Sequence, residues 1–214
     1  MIFPQRDNRG GGVYVVHVQV YFVHMDSTAD RLAAAALAIL SAEGAQAVTM
    51  RRVAADAGVT TMATYRHYPN REALLRKAVD SAVADITQDW GEHGTGLDFA
   101  GRTEGLLTAF LDFALGKPNL YTFLVTERRS DARQFPTDFR AGGSPAFAPM
   151  FMAVEQGMKD GQLRDDDVLE VTLAITTPVM GLVQQYHGGR INLSEPEFRA
   201  LCGRTVERVL NGLR

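Results

Sequence analysis

Residues 49–68, TMRRVAADAGVTTMATYRHY, constrain the fold more than any other stretch. Two short helical runs flank Gly58, and each is preceded by a threonine, Thr49 and Thr60, able to cap it. A glycine between short helices supplies the conformation that ends the first and redirects the chain. The second run is unlike a core helix. It carries Thr61, Met62, Ala63, Thr64, Tyr65 and His67 where a buried helix would carry Leu or Ile. At about 100° per residue, Thr61, Met62, Tyr65 and Tyr68 share one broad face. Ala63, Thr64 and His67 fall nearer the opposite face, which is expected to pack on Leu40, Val53, Ala54 and Ala57.

The charge distribution suggests what the free face could meet. The 214-residue chain has a net charge of −3, which argues against a generally basic coat for nucleic acid. Yet residues 50–77 carry a net +4, against −1 before them and −6 after them. Phosphate would attract this one window and repel the remainder. A major groove admits a helix whose leading side chains are short or flat, as Thr61, Met62 and Ala63 are. Thr can hydrogen-bond a base edge, and Met can touch a thymine methyl. Tyr65 and Tyr68 can donate to phosphates, with Arg51, Arg52 and Arg71 as flanking clamps.

The remainder reads as helices. Ser27 and Asp30 resemble a capping box, followed by Leu32, Ala35, Ala36, Ile39 and Leu40 on one face and a stop at Gly44. Asn70 is expected to cap a long helix through about Trp90, and Gly91 to Gly96 reads as a break between domains. Helices are expected over about 98–115, 121–126, 145–159 with Pro145 at its start, 167–187 with a kink or break at Pro178, and 198–213. Residues 127–144 read as a mobile loop. Residues 1–25 differ from all this. Val13–Val23 favours strand but has no partner, so the segment is an added arm, a disordered extension, or sequence upstream of a natural start at Met25.

With an apolar fraction of 46% the chain can bury a core. One cysteine, Cys202, excludes an internal disulfide framework and fits a reducing cytoplasm. It sits in an apolar stripe and reads as a packing residue. No apolar run approaches a membrane span of about 20 residues. The five histidines form no metal-binding spacing and no catalytic motif, so neither metal nor cofactor is expected, and the chain does not read as an enzyme.

Residues from about Asp26 to Val79 resemble the N-terminal DNA-binding domain of TetR-family transcriptional regulators. The resemblance runs through Met50–Ala54, Gly58–Thr60, Ala63–Tyr68 and Asn70–Leu75. It implies an all-α fold with a helix-turn-helix domain over 26–72 and a ligand-sensing and dimerisation domain over 73–214. It places the recognition helix at Thr60–His67. The implied DNA contacts are Arg51, Arg52, Thr60, Thr61, Met62, Tyr65, His67, Tyr68 and Arg71. Thr64 stands where the family usually has an apolar residue, and Met62 where it often has glycine.

The second half is rich in bulky apolar side chains, which mostly fill a core. The resemblance implies a ligand cavity among Leu107, Phe110, Phe113, Tyr121, Phe147, Met150, Phe151, Val154, Thr176, Met180 and Gln184, with Thr176, Gln184 and Tyr186 as polar groups. The last two helices carry a surplus of apolar residues. In the family such helices form a four-helix bundle between two chains, which points to Leu182, Tyr186, Leu201, Thr205 and Val209 as interface residues. The expected protein is a homodimeric cytoplasmic repressor, released from a palindromic operator by a small, largely apolar effector. A DNA-binding regulator without effector response is the alternative, followed by a helical small-molecule carrier or enzyme.

Overall fold

The computed structural model describes residues 27–92, 98–127, 132, 134–140 and 144–213, with backbone alone at 88, 89, 91, 92 and 140. The expected strand at Val13–Val23 lies outside them, as does most of the Gly91–Gly96 break. The described residues are all-α, with no strand among them.

Local signals set the helix starts. The Ser27 hydroxyl accepts from the Asp30 amide while the Asp30 carboxylate accepts from the Ser27 amide, which opens α1 (Thr28–Glu43). A 3-10 turn over Ala45–Ala47 leads to α2 (Met50–Asp56), capped by Thr49. Thr60 caps α3 (Thr61–His67) by accepting from the Ala63 amide. Between them Gly58 adopts φ +67°, with Val59 N–H donating to Ala54 O and Gly58 N–H to Ala55 O. This paired closure satisfies the last carbonyls of α2 and needs a left-handed residue at its centre. Asn70 caps α4 (Arg71–Glu92) through the Ala73 amide.

The second half comprises α5 (Phe99–Gly116), α6 (Pro118–Val125), α7 (Thr137–Arg140), α8 (Ala148–Lys159), α9 (Val168–His187) and α10 (Glu195–Leu213). Three expectations are corrected. The stretch 127–144 contains the short helix α7 rather than loop alone. Helix α8 starts with Pro149 in its first turn, and Pro145 lies in the turn before it. Helix α9 runs through Pro178 without a break, which removes the break but not the kink from the two outcomes expected there. By length and composition α9 could cross a membrane. Its packing against α8 and α10, and its exposed Glu170, Gln184 and Gln185, make it a core helix of a helical domain.

Two cores result. The first joins α1, α2 and the opening turns of α4 through Leu32, Leu40, Val53, Leu74 and Val79, and also takes in Leu120 and Phe123 of α6. Leu74, Leu75, Ala78 and Val79 carry this core past residue 72 into α4. The second joins α5, α8, α9 and α10 with Trp90 at the end of α4 and Tyr121 of α6. Asn119 Nδ2 adds a hydrogen bond to Ser41 O at 3.0 Å. Helix α6 thus contributes Leu120 to one core and the adjacent Tyr121 to the other. The 22 residues of α4 span about 33 Å and also belong to both.

Candidate nucleic-acid interface and sensing core

Helix α3 packs on α1 and α2. Thr64 faces inward at 0% exposure, and Ala63 is half-buried. The opposite side is open: Met62 is 69% and Tyr65 49% exposed, with Thr60 exposed and Thr61 half-buried beside them. A side chain as free as that of Met62 contributes little to the folded core, and it stands three residues from the exposed Tyr65 on the same side of α3.

Four residues depart from the roles expected of them, two on helical phase and two as phosphate clamps. Tyr68 is buried at 8% exposure, and its hydroxyl donates to Ala29 O at 3.0 Å. Burial holds its phenol pKa above the ordinary value. It lies past the last residue of α3 in extended backbone, φ −131° and ψ 116°, so the 100° phase no longer applies. Tyr68 therefore anchors α3 to α1 and is withdrawn from the DNA-facing set. His67, expected to pack, is exposed. Arg71 turns back over the first domain, where Nε donates to Val48 O at 2.7 Å and Nη2 to Ala45 O. It fastens the segment before α2 and is not a free phosphate clamp. Arg52 is paired with Glu43 through both guanidinium nitrogens. That hydrogen-bonded pair lowers the Glu43 pKa and raises that of Arg52. Arg51 and Arg66 are exposed and make no salt bridge among the described residues. Arg66 is not among the expected contacts, although it stands in the same basic window and next to Tyr65 on α3.

Thr64 also merits a test. Its hydroxyl reaches only Thr60 O at 3.5 Å, the limit of a hydrogen bond, inside an otherwise apolar contact. Thr64→Val removes a poorly satisfied buried hydroxyl and keeps the shape. It is expected to stabilise the chain by about 1 kcal/mol, or roughly 2–4 °C in a thermal melt followed by circular dichroism. A fall of the same size would mean that the long hydrogen bond carries more than its geometry suggests.

The expected cavity residues fall into separate groups. Phe110 and Phe113 each meet Trp90 on one side and Tyr121 on the other, with centroids 6.0–6.3 Å apart. Phe147 and Phe151 belong to a different aromatic run with Phe139. Leu107, Met150 and Val154 pack within the second core. Thr176 donates its hydroxyl to Thr172 O, and Met180 offers its carbonyl to the Tyr121 hydroxyl. Gln184 is exposed on α9, which removes it from an interior cavity. Trp90 and His187 were not in the expected set, yet both join the ring cluster, His187 at 5.4 Å from Tyr121. Burial raises the Tyr121 pKa to about 12 and lowers that of His187. A small cleft between α5 and α8, lined by Asp98, Arg102, Gln156, Asp160 and Gln162, lies apart from these rings and is mainly polar.

Of the expected interface residues, Leu182, Tyr186 and Val209 pack partly into their own core, Tyr186 stacking on Phe198 at 4.2 Å. Leu201 and Thr205 are half-buried. The open face of α9 is built instead from Ala174, Thr177 and Gly181, and that of α10 includes Ala200 and the half-buried Gly203. A Cβ at Gly181 or Gly203 would meet nothing within 4 Å. Cys202 is fully buried and its thiol is pushed up to about 11, which suppresses the reactive thiolate. Among the described residues no group of His, Cys, Asp or Glu could hold a metal ion.

A helix-turn-helix with an open recognition face, joined to a helical domain, defines a DNA-binding transcriptional regulator. Residues 32–78 match the bacterial regulatory proteins of the tetR family, and residues 104–209 match the tetracyclin repressor-like C-terminal domain. The chain belongs to the TetR family of transcriptional regulators, which are not enzymes. It is 45% identical over 53 residues to the HTH-type transcriptional repressor DrrR1 of Streptomyces coeruleorubidus. That match covers 25% of this chain and only 20% of the relative's length. The fold is similar to a protein of unknown function from Rhodococcus sp. RHA1, at TM-score 0.70 and 20% identity over 91% of this chain and 98% of that one. It is also similar to the regulator FadR from Bacillus subtilis in complex with stearoyl-CoA, at TM-score 0.67 and 14% identity over 86% and 98%.

Proposed function

We propose that the chain acts in the cytoplasm as a homodimeric repressor that leaves a palindromic operator when a small, largely apolar effector binds its second domain. The open face of α3, with Met62 and Tyr65 free beside exposed Arg51 and Arg66, carries the DNA-reading part of this proposal. Thr61 and Met62 read bases, and Tyr65, His67, Arg51 and Arg66 hold the backbone. One short helix reads few base pairs, so useful affinity needs two copies on half-sites about one DNA turn, roughly 34–36 Å, apart.

The dimer reading rests on the glycines. A helix-interior glycine costs about 1 kcal/mol relative to alanine. Neither Gly181 nor Gly203 is required by packing within the chain. Small residues on α9 and α10 let a second copy approach closely. For the switch, α4 and α6 each belong to both cores. An effector that favours a different setting of these helices alters the separation of the two recognition helices and weakens operator binding. FadR of Bacillus subtilis, with stearoyl-CoA bound, supports the capacity of this fold to hold a small ligand. The proposed division of labour gives the DNA-reading role to residues 26–72 and sensing and dimerisation to 73–214.

Selecting bound duplexes from a random pool tests the reading. Met62→Ala is expected to change the preferred bases, a discrimination of about 1–3 kcal/mol at the affected position. Arg51→Ala is expected to weaken all duplexes alike and to reduce the log–log salt slope by about one unit. Purified chain that selects no duplex at low salt would overturn the DNA-binding proposal. An unchanged preference in Met62→Ala would remove Met62 from the readers.

A further inference from the structure

Five aromatic rings from four helices meet where α4 enters the second core. They are Trp90 of α4, Phe110 and Phe113 of α5, Tyr121 of α6 and His187 of α9. Neighbouring rings lie at steep angles, 60–86°, with edges meeting faces in four of the five pairs and Phe113 tilted against Tyr121. A flat guest ring can make the same edge-on and offset contacts that these rings make with one another.

The polar groups here are few. The Tyr121 hydroxyl is engaged with Met180 O at 3.2 Å. His187 Nδ1 is shielded from solvent and has no hydrogen-bond partner among the described residues. Native structures rarely leave such an atom unsatisfied, and each exception calls for an explanation. Among the described residues the buried polar side chains are Thr64, Thr103 and Thr172, and none of the buried side chains is charged. A carboxylate or phosphate placed there would lose its hydration without gaining a cation. A neutral imidazole presents one N–H and one lone pair, so Nδ1 either donates or accepts. A hydroxyl group satisfies it in both cases.

We propose that the Trp90–Phe110–Phe113–Tyr121–His187 cluster binds a flat, uncharged aromatic molecule bearing a hydroxyl group, with that hydroxyl hydrogen-bonded to His187 Nδ1. The binding site stands on these five residues, and its regulatory meaning rests on the effector-responsive reading above. Burial lowers the pKa of His187, in accord with a neutral ring. Tyr121 links the site to α6, whose neighbouring residue Leu120 lies in the first core.

Trp90 is the single tryptophan of the chain, so its emission reports on this site alone. The full-length protein is titrated with 1-naphthol, naphthalene and 1-naphthoate while Trp90 fluorescence is followed. Saturable quenching by 1-naphthol is expected, at least about 10-fold tighter than by naphthalene, as one buried hydrogen bond of about 1.4 kcal/mol would give. Naphthoate is expected to bind most weakly. His187→Phe keeps a ring and removes the nitrogen, so it is expected to bind naphthol and naphthalene alike. It also removes an unsatisfied buried atom and is expected to melt higher than the parent chain. Equal binding of naphthol and naphthalene by the parent chain, no quenching by any probe, preference for naphthoate, or an intact naphthol preference in His187→Phe would each overturn the proposal. Operator release is measured separately. Naphthol that binds through His187 without releasing DNA leaves this site standing and removes the effector reading. Release by another ligand that is insensitive to His187→Phe, with no naphthol quenching, does the reverse.

Discussion

Gly181→Leu is expected to leave the chain folded and monomeric, and to weaken binding to a two-half-site operator by about 100-fold or more. The leucine replaces a glycine that no side chain of its own protomer approaches within 4 Å. Within one chain the change is favourable, because leucine raises helix propensity by somewhat under about 1 kcal/mol. Between chains it inserts a bulky side chain where Ala174, Thr177 and Gly181 form a flat strip on α9. Sedimentation or light scattering reads the oligomeric state, and fluorescence anisotropy reads operator affinity. Gly203→Leu on α10 is expected to act in the same direction. A Gly181→Leu chain that remains dimeric would place the interface elsewhere. A monomer that keeps full operator affinity would end the two-reader argument.

Phe198→Ala is the substitution expected to cost most stability. Phe198 is 0% exposed at the start of α10 and stacks on Tyr186 with an interplanar angle of 20°. Truncating a buried phenylalanine removes transfer free energy and leaves a cavity, together about 3–5 kcal/mol. For a chain of this size that corresponds to a fall of about 10 °C or more in Tm. Phe198 holds α10 against α9, so operator binding is expected to fall with it through the weakened dimer. Met62→Ala in the same melt is the control, since a 69% exposed side chain contributes little to the fold. A loss below about 1 kcal/mol in Phe198→Ala would mean that the core collapses to fill the gap.

Features governed by neighbours within one turn were legible in the sequence. Ser27 with Asp30, Thr49, Thr60 and Asn70 all cap the helices they precede. Gly58 ends α2 through local hydrogen bonds. What was misread depends on distant partners or on where helical phase stops. Tyr68 lies one residue beyond α3 and follows extended geometry instead. Arg71 finds carbonyls 23 and 26 residues earlier in the chain. The partner of Arg52, Glu43, sits at the end of a different helix. His187 joins the ring cluster only because α6 brings Tyr121 against it. The family resemblance located a helical second domain in general, but side-chain grouping within it required the packing of four helices.

Helix α6 has a consequence for how this protein can change over time. Its successive residues Leu120 and Tyr121 are committed to different cores, and Asn119 ties its first turn to α1. A substitution that eases the helix out of one core also loosens its grip on the other. Under the proposed switch, responsiveness and robustness are therefore set by the same few side chains. A variant that switches more readily would be one whose halves hold together less firmly. Any gain in sensitivity at this joint would need compensating stability from positions remote from it, such as the α1–α4 contact or the interior of α9 and α10.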